Sequence, residues 1–193
     1  MRLDKHEQPE QKEELSSGDS LKLDLYFWLQ ALVAALVLLI LVFTFVGRII
    51  GVSGSSMVPT LHDGDMLLLQ SIGYTPRQGD VVVLTKEFDA ADGPIVKRVI
   101  ATGGQHVVID YAAGTVTVDG VALDEPYINE PMERPMGESI TDVVVPEGSI
   151  FVMGDNRNHS LDSRDSSVGM VDERRVMGEA VFRIYPFDKI GGV

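Results

Sequence analysis

One long apolar run and a series of short ones divide the chain. The run LYFWLQALVAALVLLILVFTFV, residues 25–46, has 22 positions without a charge, and only Gln30 and Thr44 are clearly polar. At about 1.5 Å per residue, a helix of that length spans the roughly 30 Å hydrocarbon core of a bilayer. The alternative is a cleaved secretory signal, whose apolar region runs to only about 7–15 residues. The pattern therefore predicts a single transmembrane helix over 25–46. Residues 1–24 are charged and polar, with almost no large apolar groups, and read as a solvated tail.

Beyond the span the apolar runs shorten. DMLLLQSIGY, DVVVLTKEF, PIVKRVIA, HVVID, GTVTVDG, DVVVP and SIFVMGD have strand lengths and β-branched compositions, and Gly, Pro and Asp separate them. Residues 47–193 are thus expected to form one mainly β domain. Gly64-Asp65 and Gly79-Asp80 read as turns feeding strands, and HVVIDYAAGTVTVDG as a hairpin turning near Ala113-Gly114. Residues 124–142 carry three prolines and six acids and read as a surface excursion. Pro186 caps the closing run GEAVFRIYP.

Composition narrows the chemistry. With 193 residues there is room for one globular domain and an anchor. Lys and Arg number 16 against 29 acids, a net charge of -13, which disfavours a phosphate-tracking surface and so nucleic acid. The absence of Cys removes disulfides, thiolate metal sites and cysteine nucleophiles. The four histidines lie far apart without zinc-enzyme spacing, so no metal and no cofactor are expected. Seven acids offset the basic residues of the first 24 positions. Close to the span, Lys12 and Lys22 on one side against Arg48 on the other orient the N-terminus to the cytoplasm and residues 47–193 outside.

Three short segments bear candidate chemistry. If residues 95–102 form a strand, alternation puts Ile95, Lys97, Val99 and Ala101 on one face and Arg98 on the other. Lys97 is then the only charge on an apolar face. Burial there would lower its pKa and make it a general base; the alternative is an edge lysine snorkelling to water. In VSGSSMVPTLHDGD, residues 52–65, glycine and serine permit close backbone approach. The stretch reads either as a nucleophile turn with free N–H groups for an oxyanion or as a linker after the span. The run MGDNRNHSLDSRDSS, residues 153–167, is dense in Asp, Asn, Arg and Ser, and taken alone is a polar loop.

Together these segments resemble the type I signal peptidases, membrane-anchored Ser-Lys proteases. SSMVPTL is similar to the family's nucleophile box, which makes Ser56 the nucleophile rather than Ser53 or Ser55. GDVVVL at 79–84 resembles the next box, KRVIATGGQ at 97–105 the general-base box with Lys97 as base, and GDNRNHSLDSR at 154–164 the last box. LDEPYI and GEAVFRIYP also look familial. The resemblance implies that Ser160 orients Lys97, that Asp162 and Arg164 brace the active-site wall, and that Met57 and Val96 help line pockets for small side chains. Two positions depart from the commonest pattern. Asn158 and His159 stand where Asp-Asn usually precedes Ser160, and Gly54 stands where some members carry a serine whose hydroxyl helps hold the oxyanion. The hole would then rest on backbone N–H groups beside Gly54, chiefly that of Ser56.

The function implied is removal of signal peptides from exported preproteins with small residues at the first and third positions before the cut, by an enzyme seated at the lipid bilayer. Only nine residues, 47–55, separate the span from Ser56, roughly 30 Å at full extension. Two alternatives remain at this level. One is a Ser-His-Asp hydrolase using Ser56, His159 and Asp162. The other is a non-catalytic membrane-anchored β-domain that binds exported proteins.

Overall fold

The computed structural model describes residues 17–45, 47–85, 93–135 and 139–193, in two units dividing after Val42. The first is a helix, α1 (Ser17–Phe45), whose stretch Leu21–Leu41 is long and apolar enough to cross a membrane and buries none of its surface. Those 21 residues rise about 31 Å, matching a hydrocarbon core, and a helix satisfies its own backbone there. The helix starts ahead of the apolar run, so residues 17–24, expected in the tail, are helical. Leu, Lys and Ser tolerate helix well enough to extend it past the lipid-length stretch. The rest of the expected tail, residues 1–16, lies outside the described residues.

Among the described residues from Gly47 on, the second unit is β apart from short 3-10 turns. Its strands are β1 (Gly47–Gly51), β2 (Met66–Gln70), β3 (Val81–Leu84), β4 (Ile95–Thr102), β5 (His106–Asp110) and β6 (Thr115–Val118), then β7 (Val121–Ala122), β8 (Asp142–Val144), β9 (Ser149–Met153), β10 (Val171–Asp172), β11 (Val176–Tyr185) and β12 (Gly191–Gly192). A large antiparallel sheet runs β1-β2-β11-β3-β4-β9-β10, with β12 paired to β11, and a smaller one runs β7-β6-β5-β8. The β-branched runs became strands, and the β5–β6 hairpin closes with Asp110 opposite Thr115. The Gly-Asp turns are braced by their aspartates. Asp65 accepts from the His62 N–H at 3.0 Å and Asp80 from the Arg77 N–H at 2.9 Å.

Two differences bear on the site. Residues 47–51, between the span and the serine turn, form an edge strand paired along its length with β2, which no apolar run of the sequence reading named. The excursion 124–142 is not wholly at the surface. Met132 is 3 % exposed within the core that joins the small sheet to Phe151 and Met153, a burial worth roughly 2 kcal/mol.

β4 lies between β3 and β9 and is covered on both faces, so residues 96–101 are all buried. At the other end of the large sheet, Ile49, Met66, Phe182 and Tyr185 remain exposed, as do Phe187 and Ile190 just beyond β11. The first four come from adjoining strands, Met66 facing Tyr185 in register.

Candidate active site

The turn joining β1 to β2 is tied at its base. Val52 N–H donates to the Asp65 carbonyl at 2.8 Å, and Gly64 N–H to the Val52 carbonyl at 3.0 Å. Met57 and Leu61, 1 % and 0 % exposed, pin its middle into the core, so the intervening serines are held and not loose. Gly54 has a φ of +89°, which a residue with a side chain rarely adopts, and open space around it. Its N–H donates to Asp63 Oδ1 at 2.9 Å. Glycine is needed there for the backbone bend, and its N–H is already bonded to Asp63.

Ser56 stands half-buried at this turn, and Lys97 reaches it from the middle of β4. Lys97 Nζ donates to Ser56 Oγ at 2.8 Å and to the Val96 carbonyl at 3.1 Å. Lys97 is 4 % exposed, so it does not snorkel. Burial pushes its pKa down to about 8, against the opposing pull of the Asp162 carboxylate. A tenth or so of such a lysine is neutral at pH 7 and able to take a proton.

The third segment leaves β9 and packs against the first two. Gly154 N–H donates to Asp162 Oδ2 at 2.9 Å, and Arg164 returns to Asp162 through Nε at 2.8 Å, so this buried pair closes the loop. Any side chain on Gly154 would strike Ser160 and come within 2.5 Å of the Ser56 carbonyl oxygen. Ser160 is therefore beside the site, but its buried Oγ has no hydrogen-bond partner among the described residues. Lys97 Nζ donates to Ser56 and Val96, and the bond to Ser160 that the resemblance implies is not among its hydrogen bonds. Met57 and Val96, the expected pocket residues, share one buried cluster with Val81 and Val83.

Several residues of the site had no role in the sequence reading. Asp155, fully buried, takes Arg98 Nε and NH2 at 2.9 and 2.7 Å and also accepts from the Thr60 hydroxyl, tying β4 to the turn that carries Ser56. The Arg98 guanidinium also lies 4.1 Å from the Tyr127 ring centroid. Arg157, 1 % exposed, forms a two-pronged pair with Glu125, NH1 to Oε2 at 2.9 Å. The LDEPYI stretch of the excursion thus braces the last segment. Asn158 joins it, donating to the Pro131 carbonyl at 3.1 Å and accepting from the Glu133 N–H at 3.0 Å. The sequence signal was present in GDNRN and LDEPYI, but no spacing rule pairs residues 32 positions apart.

His159 is exposed, and its ring makes no hydrogen bond among the described residues, while Asp162 is committed to Arg164 and Gly154. The Ser-His-Asp arrangement is not assembled.

With this geometry in view, residues 25–185 match the family model described as signal peptidase, peptidase S26. The chain belongs to that signal peptidase family. It is 36 % identical over 178 residues to signal peptidase I of Bacillus licheniformis, covering 88 % of this chain and 93 % of the relative. It is 33 % identical over 186 residues to signal peptidase IB of Staphylococcus aureus, covering 88 % and 94 %. A solved signal peptidase I from Enterococcus faecalis is 28 % identical, with a TM-score of 0.45 over 55 % of this chain and 97 % of that one. Membership in the signal peptidase family makes the chain a serine endopeptidase of signal-peptide removal, and sets aside the non-catalytic β-domain.

Proposed function

We propose that Ser56 and Lys97 are the catalytic pair of this signal peptidase and that α1 anchors it in the membrane. Neutral Lys97 takes the Ser56 hydroxyl proton as Oγ attacks the scissile carbonyl, and the Ser56 N–H holds the oxyanion. The C–N bond breaks as Lys97 returns the proton to the leaving amine. Water then hydrolyses the acyl ester, giving a proton to Lys97, which restores it to Ser56 Oγ. The observation that carries this reading is the 2.8 Å separation of Nζ and Oγ, with the lysine buried enough to lose its proton near neutrality. In the neutral form the same separation lets the hydroxyl donate to the amine.

The substrates are preproteins with small residues at the first and third positions before the cut, read by a wall that includes Met57 and Val96. Asp162 and Arg164 hold the wall's shape, and Ser160 packs behind it. Only a short stretch of chain separates the anchor from Ser56, which suits substrates held at a membrane. The exposed apolar side chains of β1, β2 and β11 suit the same interfacial setting. The N-terminus lies in the cytoplasm and residues 47–193 outside, as the flanking charges favour.

Cleavage of a preprotein in detergent tests the pair. Ser56→Ala and Lys97→Ala each lower turnover by about 10³-fold or more with the thermal transition retained, and His159→Ala keeps most activity. Normal turnover in either of the first two variants contradicts the assignment.

A further inference from the structure

Asn156 touches the nucleophile turn through both its main chain and its side chain. Its N–H donates to the Ser56 carbonyl at 3.0 Å, and its Nδ2 donates to the Ser55 carbonyl at 3.1 Å. The residue is 6 % exposed, and Oδ1 has no partner among the described residues, so the Ser55 bond is what fixes the side-chain amide. None of its hydrogen bonds goes to Lys97.

The Ser55 carbonyl and the Ser56 N–H belong to one peptide unit. That unit is planar and trans, so its C=O and N–H point in opposite directions. Whatever holds the Ser55 carbonyl on one side aims the Ser56 N–H to the other. Val58 N–H also donates to the Ser55 carbonyl, at 3.2 Å, but Val58 belongs to the same turn and moves with it. Asn156 instead ties the unit to the segment leaving β9. Its own N–H fixes the next peptide unit through the Ser56 carbonyl, so the planes on both sides of Ser56 are set by one residue.

We infer that Asn156 is a positioning residue that aims the Ser56 N–H at the oxyanion of acyl transfer, acting through the Ser55 carbonyl. This rests on the proposal that Ser56 is the nucleophile. Loss of an oxyanion donor costs about 10²–10³ in kcat. A misaimed donor keeps part of its effect, so about 10- to 100-fold is expected.

The test uses the full-length enzyme in detergent micelles, a peptide substrate spanning a cleavage site, and a peptide aldehyde whose adduct with serine places an oxygen in the hole. In Asn156→Ala, kcat falls about 10- to 100-fold while KM stays within about threefold, as expected for an interaction made only in the transition state. The pH midpoint of kcat/KM does not move. Affinity for the aldehyde falls in parallel with kcat/KM, and affinity for the cleaved product peptide does not. A kcat within about twofold of the parent, a loss confined to KM, or a moved pH midpoint with kcat intact overturns the inference. Should the alanine variant fail to fold, Asn156→Asp keeps the size and the main-chain bond but sets an acceptor against the Ser55 carbonyl. It is expected to lose kcat at least as much, and normal kcat there is equally contrary. Ser56→Ala measured alongside separates the two claims. If it turns over normally, the nucleophile assignment fails and takes this inference with it. If it is inactive while Asn156→Ala is normal, only this inference falls.

Discussion

Lys97 needs two things from its surroundings, a hydroxyl within reach and a medium that disfavours its charge. β4 supplies both by carrying it through the middle of the large sheet. The lysine was legible in the sequence because alternation set it among Ile95, Val99 and Ala101. Its neighbour was not. Alternation places Arg98 on the opposite face but cannot tell that this face is covered too, so the buried Arg98–Asp155 pair emerges only from the fold. Gly54 shows the converse. The sequence reading set it beside an oxyanion, whereas its backbone angle and its N–H bond to Asp63 are what call for a glycine there. Burial lowers the Lys97 pKa, so the active neutral form grows as pH rises. With a pKa of about 8, kcat/KM climbs nearly tenfold per unit below that pH and levels above it. A steady-state pH profile checks this, and activity that declines between pH 6 and 8 gives the wrong sign.

Among the elements, the segment leaving β9 is the joint on which the site closes. Four consecutive residues each hold a different partner: Gly154 meets Asp162, Asp155 meets Arg98 and Thr60, Asn156 meets Ser55 and Ser56, and Arg157 meets Glu125. The longer strands were legible as short apolar runs, because length and composition are local properties, whereas the two-residue β7, β10 and β12 were not. β1 was not either, since GRIIG is short and does not alternate, and its strand character comes from pairing with β2. The excursion 124–142 was read as surface from its prolines and acids, which conceal one buried methionine and a glutamate matched to a distant arginine. The tightest approach at this joint is Gly154 against Ser160 and the Ser56 carbonyl. Gly154→Ala is therefore expected to cost about 3 kcal/mol or more and to reduce turnover even in the fraction that folds. Chemical denaturation paired with active-site titration measures both, and a variant as stable and active as the parent shows that the two segments part easily.

For the whole molecule, the chain combines a helix of membrane-spanning length with a β unit that contains every candidate catalytic residue. A long apolar helix was visible at once from the single long apolar run, whereas its start at Ser17 was not, because helix can continue where hydrophobicity stops. External protease on intact cells is expected to remove a C-terminal tag and spare an N-terminal one, and the reverse pattern contradicts an outward-facing domain. The central claim concerns the pair of residues that the fold brings within 2.8 Å. Acid quenching of turnover on a peptide ester, followed by peptide mapping by mass spectrometry, locates the acyl group. The account predicts an acyl ester on Ser56 Oγ, absent in Ser56→Ala and formed about 10³-fold or more slowly in Lys97→Met. An acyl group on Ser53, Ser55 or Ser160, or an undiminished acylation rate without Lys97, contradicts it.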